Sequence, residues 1–371
     1  MTNVSEGVSK LGFGLMRLPK LEDGETIDIE QTKQMVDAYI EAGGTYFDTA
    51  RAYGESENAI RQTLVERYPR ESFKLATKNA AWIGPKSYDD ARADFDVSLA
   101  NTGAGYFDYY LIHNTGADRT KVFDDLDMWN FVKQLKADGK VRHIGFSHHD
   151  SADVLAGIIE AHPEMEFVQL QVNWADWEAS TTQSRKCVEV ARTHNLPVIV
   201  MEPVRGGTLA NPPEPVAEIL REAHPDWTFV EWALRFAMNV EGVITVLSGM
   251  STLEQMEQNI ATWHALEPLA EAERETLAAA QRKLDEMIDN PCTGCQYCMK
   301  ACPMDIKIAQ TMEALNRAAV YGDANGKNWY GFNATAGHKA SDCIQCFSCE
   351  AACPQQIEIV GKLARAAELF E

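Results

Sequence analysis

Eight of the nine cysteines fall between Cys292 and Cys353, in two copies of one spacing. Cys292, Cys295 and Cys298 are separated by two residues each, Cys302 follows after three, and Pro303 closes the run. Cys343, Cys346, Cys349, Cys353 and Pro354 repeat it. Thiols this crowded in an acidic chain are read as metal ligands and not as disulfide partners. Zinc is held by paired C-x2-C units, four ligands to an ion, without a third spaced cysteine and a proline. This spacing instead wraps three thiolates round one face of an iron–sulfur cube, with the fourth pointing away. That chemistry is one-electron transfer.

A second set of reactive side chains stands at the ends of short apolar runs. Asp48 ends the run from residue 45, with Tyr53 five residues later. Lys78 follows the run 73–77, and His113 ends the run 109–113. If these runs are parallel strands, the four groups gather at one rim. A carbonyl that accepts a hydride becomes an alkoxide that must be protonated. A tyrosine phenol has the shape for that task but an ordinary pKa of about 10. A neighbouring ammonium such as Lys78 lowers it, Asp48 keeps the ammonium charged, and a histidine polarises the carbonyl oxygen.

Eight apolar runs supply the strands: residues 11–15, 45–48, 73–77, 109–113, 143–146, 168–171, 198–201 and 243–247. Short continuous apolar runs are the pattern of strands buried on both faces. Helical periodicity fills gaps between them at 29–42, 125–137, 151–161, 181–194, 227–238 and 253–266, with Ser151 placed to cap and Gly139 just past a helix end. Strand–helix alternation on this scale predicts an α/β fold, a (β/α)8 barrel. An open doubly wound sheet would want a G-x-G-x-x-G loop after an early strand, and the chain has none. A helical stretch over 271–288 leads to Asn290-Pro291, where composition turns to Cys, Gly and Pro. The boundary is placed there: residues 1–289 the barrel, 290–371 a second, mainly helical domain.

Over roughly residues 10–265 the chain resembles the aldo-keto reductase family, and with its cysteine-rich tail it resembles that family's iron–sulfur branch. Asp48, Tyr53, Lys78 and His113 match the family's catalytic tetrad in order and context. The resemblance implies an extended nicotinamide dinucleotide, NADPH or NADH, across the rim. Its contacts would come from Gly14, Leu15, Met16, Asp48, Ser147, His148, Gln171, Met201, Pro203, Arg205, Gly207, Gly249, Ser251, Gln255 and Asn259. The chain departs from the family's pattern in four places. His148 replaces an asparagine, Met201 replaces a stacking aromatic, and Gly249 and Gln255 stand where many members carry Lys and Arg for the 2′-phosphate. The tail resembles bacterial two-cluster ferredoxins. That likeness implies Cys292, Cys295, Cys298 and Cys353 on one [4Fe-4S] cluster, and Cys343, Cys346, Cys349 and Cys302 on the other. Residues 303–342, with Tyr321-Gly322-Asp323, Trp329-Tyr330 and Phe332, read as an insertion into the compact ferredoxin pattern.

The net charge is −21, and only −1 of it belongs to residues 290–371. So acidic a chain disfavours nucleic acid as a partner. The polar start and the lack of a long apolar run predict a cytoplasmic protein with no membrane partner. The lone Cys187 reads as a buried core thiol. The functional expectation is a reductase. It takes electrons from NAD(P)H to an aldehyde, ketone or quinone-like small molecule, and its clusters exchange electrons with that substrate or with a redox partner such as a ferredoxin or flavodoxin. A hydride carries two electrons and each cluster takes one. A flavin-dependent reductase and an electron-transfer or redox-sensing protein with a non-catalytic barrel are therefore the alternatives, although no flavin signature is present. Substrate-side loops over 82–88, 114–122 and 303–342 carry no deciding motif.

Overall fold

The computed structural model describes residues 3–84, 86–117, 119–334 and 338–371. Eight parallel strands close into a barrel in sequence order, the eighth pairing with the first. They are β1 (Leu11–Gly14), β2 (Tyr46–Asp48), β3 (Lys74–Asn79), β4 (Phe107–Thr115), β5 (Val141–His148), β6 (Phe167–Gln171), β7 (Val198–Met201) and β8 (Val243–Gly249). Alternation along each strand sorts the side chains. Tyr46, Ala76, Tyr109, Leu111, Phe167, Ile199 and Leu247 pack together in one group. Phe47, Leu75, Tyr110, Ile112, Val168, Leu170 and Val200 join the larger core with the helices. The first group shares its parity with Asp48, Lys78 and His113, so register alone turns those three toward the barrel axis.

The helices follow the strands closely, with differences from expectation that include the unforeseen helices Ser56–Ile60 and Glu214–Ala223. The helix expected over 125–137 begins at Met128, because Asp127 takes a left-handed backbone (φ 51°), and Thr120–Asp125 forms a separate turn of helix. Ser151 precedes its helix but its side chain makes no capping bond there. An unanticipated helix runs from Tyr88 to Thr102, opened by a reciprocal Ser87–Asp90 capping box. Gly139 does close its helix as a left-handed cap: φ is 71°, its N–H donates to Lys136 O at 3.0 Å, and Lys140 N–H donates to Leu135 O at 2.9 Å.

By packing, the chain forms two compact units. The first is Met1–Glu178, Thr182–Gly206 and Val230–Leu269, and it holds the barrel. The second is Ala179–Thr181, Gly207–Phe229 and Ala270–Glu371. The second therefore takes in the helices Glu214–Ala223 and Glu271–Glu286 as well as residues 290–371.

Residues 290–371 fold as an internal repeat with an offset of 51, the separation of Cys292 and Cys343. Short helices Tyr297–Lys300 and Ser348–Ala351 correspond, as do the longer ones Ile308–Tyr321 and Ile359–Phe370. Left-handed residues recur in step: Gly294 with Gln345, Gln296 with Phe347, Asp305 with Gln356. Much of the expected insertion is thus the first repeat's own return helix. Only the segment after Tyr321 lacks a counterpart. It contains the helix Asp323–Asn333, which buries Tyr330 and leaves Phe332 89% exposed.

Candidate active site and cluster pockets

Asp48 ends β2, Lys78 lies near the end of β3 and His113 near the end of β4. The barrel's stagger brings them to one level: Asp48 pairs with Ala76, and Lys78 with Leu111, each two residues short of the next member. Lys78 is fully buried. Its ammonium donates to Asp48 Oδ1 and, at 2.8 Å, to Thr49 O. Tyr53, on the loop after β2, brings its ring centroid to 4.8 Å from Lys78 Nζ. His113 meets the Tyr53 ring edge to face at 5.8 Å and the Trp82 ring at 5.7 Å. His113 is 8% exposed and its Nδ1 has no hydrogen-bond partner. The four residue types come together as their spacing predicts.

Burial dominates the protonation of the group. It holds the Tyr53 phenol above the ordinary tyrosine range, with Asp48 and Glu202 adding to the rise and Lys78 opposing it. The expected lowering by Lys78 is therefore present but outweighed by burial. Burial also drives His113 well below the ordinary histidine range, helped by the Lys78 charge, so the imidazole is neutral. Burial works against the Lys78 ammonium, but Asp48 and Tyr53 together leave its pKa above the ordinary lysine value. At neutral pH the site thus holds a protonated phenol, an ammonium and an imidazole with an unengaged ring nitrogen.

The rim residues expected to meet a dinucleotide lie in and after β1, β5, β6, β7 and β8, and several have partners of their own. Gly14 ends β1, Leu15 is buried and Met16 is 60% exposed. Ser147 Oγ accepts from Asn114 N–H at 2.7 Å. The His148 ring contacts Ser151 O and Thr115 Oγ1. Gln171 donates to Asp176 Oδ2 at 2.7 Å, and Arg205 pairs with Asp176 at 3.1 Å. Gln255 Oε1 accepts from Ser251 N–H, and Asn259 donates to Ser248 Oγ. Met201 ends β7, Pro203 is buried, and Gly207 and Gly249 are exposed. Sequence reasoning missed Arg17 and Gln169. Arg17 follows β1, and its Cβ and Cγ would meet a side chain at Gly249 at 3.5 Å; its guanidinium stands 3.9 Å from Glu202. Gln169 donates to the second oxygen of Asp48. Its only sequence signal is its position two residues before Gln171.

All nine cysteines are free thiols. Cys187 is 3% exposed, and burial pushes its thiol up to about 12. The other eight ring two pockets. Cys292, Cys295, Cys298 and Cys353 line one, backed by Met312 and Ile359. Cys302, Cys343, Cys346 and Cys349 line the other, backed by Ile306 and Leu363. The thiols surround a void instead of converging on a point. Among the described residues no group of three or more His, Cys, Asp or Glu is arranged around a single-ion position. Each pocket combines three cysteines of one repeat with the fourth of the other, a donor set that fits a four-iron cube.

A model of the aldo/keto reductase family matches residues 10–282. The chain belongs to the aldo/keto reductase family. A second match, to a 4Fe-4S dicluster domain, covers residues 291–358. This family member is 30% identical over 148 residues to an aldo-keto reductase of Mycolicibacterium smegmatis, covering 40% of this chain and 49% of the relative. It is 30% identical over 176 residues to the glyoxal reductase of Bacillus subtilis, 44% of this chain and 59% of the relative. The chain thus spans about half the length of these curated relatives. An aldo-keto reductase of Klebsiella pneumoniae, solved in complex with NADPH, superposes with a TM-score of 0.58 at 19% identity, covering 73% of this chain and 90% of that one. That likeness is one of fold. No helix among the described residues is long and apolar enough to cross a membrane.

Proposed function

We propose that this aldo/keto reductase is an NAD(P)H-dependent oxidoreductase acting on a small carbonyl compound. We propose further that its second unit carries two [4Fe-4S] clusters exchanging electrons with a redox partner or with the substrate. One observation carries the first part: a protonated phenol, a buried ammonium–carboxylate pair and a neutral imidazole with an unengaged nitrogen share one end of the barrel.

A bound nicotinamide would supply the hydride. Tyr53 holds the proton that the substrate oxygen takes. Lys78 stabilises the phenolate left behind, and Asp48 stabilises Lys78 in turn. His113, being neutral, orients the carbonyl oxygen by a hydrogen bond without competing as an acid. Met201, Ser147 and Gln171 would be the residues that meet the nicotinamide. Arg17 and Arg205 supply cations on a rim whose Gly249 and Gln255 carry none. The crossed cysteine sets would hold the cubes, Cys353 completing the first and Cys302 the second.

Glyoxal, the substrate class named for one relative, is a suitable probe. Glyoxal-dependent NADPH oxidation should fall about 10²–10⁴-fold in Tyr53→Phe, with cofactor affinity retained. Full turnover in that variant would remove Tyr53 from the reaction. Protein purified without oxygen should contain about eight irons per chain.

A further inference from the structure

The tetrad accounts for one oxygen of Asp48 and leaves the other unexplained. Oδ1 accepts from Lys78, while Oδ2 accepts a hydrogen bond of 3.1 Å from Gln169 Nε2. Gln169 sits on β6, four strands from β2 in either direction round the barrel. It is placed by register between Ser147 and Ile199 and is 2% exposed. Its parity is that of Phe167, so its side chain crosses the barrel interior. A buried amide without a partner is unfavourable. Of its register neighbours, Ile199 belongs to the inward apolar cluster. The hydrogen-bond partner that gives a reason for an amide here is the Asp48 carboxylate.

We propose that Gln169 is a positioning residue for the reaction, holding the buried Asp48 carboxylate ionised and in the orientation that keeps Lys78 charged beside Tyr53. The proposal rests on the functional reading above and deepens it. Burial favours the protonated form of Asp48, and the Lys78 charge and the Gln169 N–H both oppose it. The titratable groups facing this carboxylate are Lys78 from β3, Tyr53 from the loop after β2 and Tyr46 on its own strand. His113 from β4 acts on the group through Lys78. Without the amide donor Lys78 alone opposes burial, so Asp48 takes up a proton at higher pH and Lys78 loses its counter-charge.

Two substitutions move the system in opposite senses. Gln169→Met keeps the length and removes the donor. It should raise the acid limb of the kcat/KM profile for glyoxal reduction by about one pH unit or more, with the KM for NADPH within about twofold of the parent. Gln169→Glu supplies an O–H donor while protonated and a repelling charge once ionised. It should retain activity at low pH and lose it as pH rises. The ¹³Cγ resonance of Asp48, assigned by its disappearance in Asp48→Asn, reads the same shift in the full-length chain without turnover. An upward midpoint in Gln169→Met is expected. Profiles and midpoints that overlay the parent, even with a lowered unfolding temperature, would overturn the proposal and leave Gln169 a packing residue. A parent chain that reduces no carbonyl sinks the functional reading instead, and the resonance still decides the role of Gln169.

Discussion

Tyr53 and His113 meet edge to face, and burial moves their proton affinities in opposite directions. A phenol held above its ordinary range is loaded with its proton at neutral pH, which suits reduction. The histidine has a consequence for stability. Its folded pKa lies below the unfolded value of about 6.5, so the unfolded chain binds more protons as pH falls through that value. Stability is therefore fully present above about pH 6.5 and declines below it. The urea midpoint of the barrel should fall between pH 7.5 and 5.5, and His113→Asn should flatten that decline; an equal decline in the variant assigns the loss elsewhere. The cluster was legible in the sequence because Asp48, Lys78 and His113 stand at the ends of apolar runs, with Tyr53 five residues after Asp48. Gln169 was not, because a glutamine two residues from another glutamine carries no periodic signal until strand parity is known.

The eight strands were legible for a physical reason: both faces of each are covered, so each reads as an unbroken apolar run. The helix Tyr88–Thr102 was not, because its buried face is built of Ala91, Asp94, Phe95, Ser98 and Thr102, with only one large apolar side chain. Its capping box was the available clue. The return helix Ile308–Tyr321 was hidden for another reason, since treating 303–342 as an insertion obscured the offset of 51 that the cysteines already display. Within that unit the helices Ile308–Tyr321 and Asp323–Asn333 pack at Gly326, where an added Cβ would lie 2.6 Å from Ala314 O and 2.7 Å from the Ala318 Cβ. Gly326→Ala should destabilise this unit by about 1–3 kcal/mol. Gly331, five residues along the same helix, faces open space. Gly331→Ala should stabilise it by about 0.5–1 kcal/mol. Opposite shifts of the second unit's melting transition test the pair, and a neutral Gly326→Ala would refute the close approach.

On the scale of the whole molecule the charge is lopsided, with −1 in residues 290–371 and −20 in the rest. The barrel is a large parallel core, whereas the last 82 residues fold round two thiol-lined pockets. Asp289 ties the entry of that segment to its final helix through Lys362 at 2.7 Å and Arg365 at 2.8 Å. The crossed ligand sets can be separated from uncrossed ones by iron content. A Cys302→Ser/Cys346→Ser double variant should keep about four irons per chain, because both changes strike the same cube. An uncrossed arrangement would lose both cubes and leave none.

The 51-residue repeat also sets a timetable for biogenesis. If each half lends its last thiolate to the other, a ribosome that has made the first three cysteines has not made a site that can be filled. The earliest cube waits for Cys349 and the other for Cys353, so neither can be filled until the second cysteine run has been made. The long wait falls on the exposed thiol of Cys295, which makes the interval between synthesis and metallation the period when oxygen does the most damage.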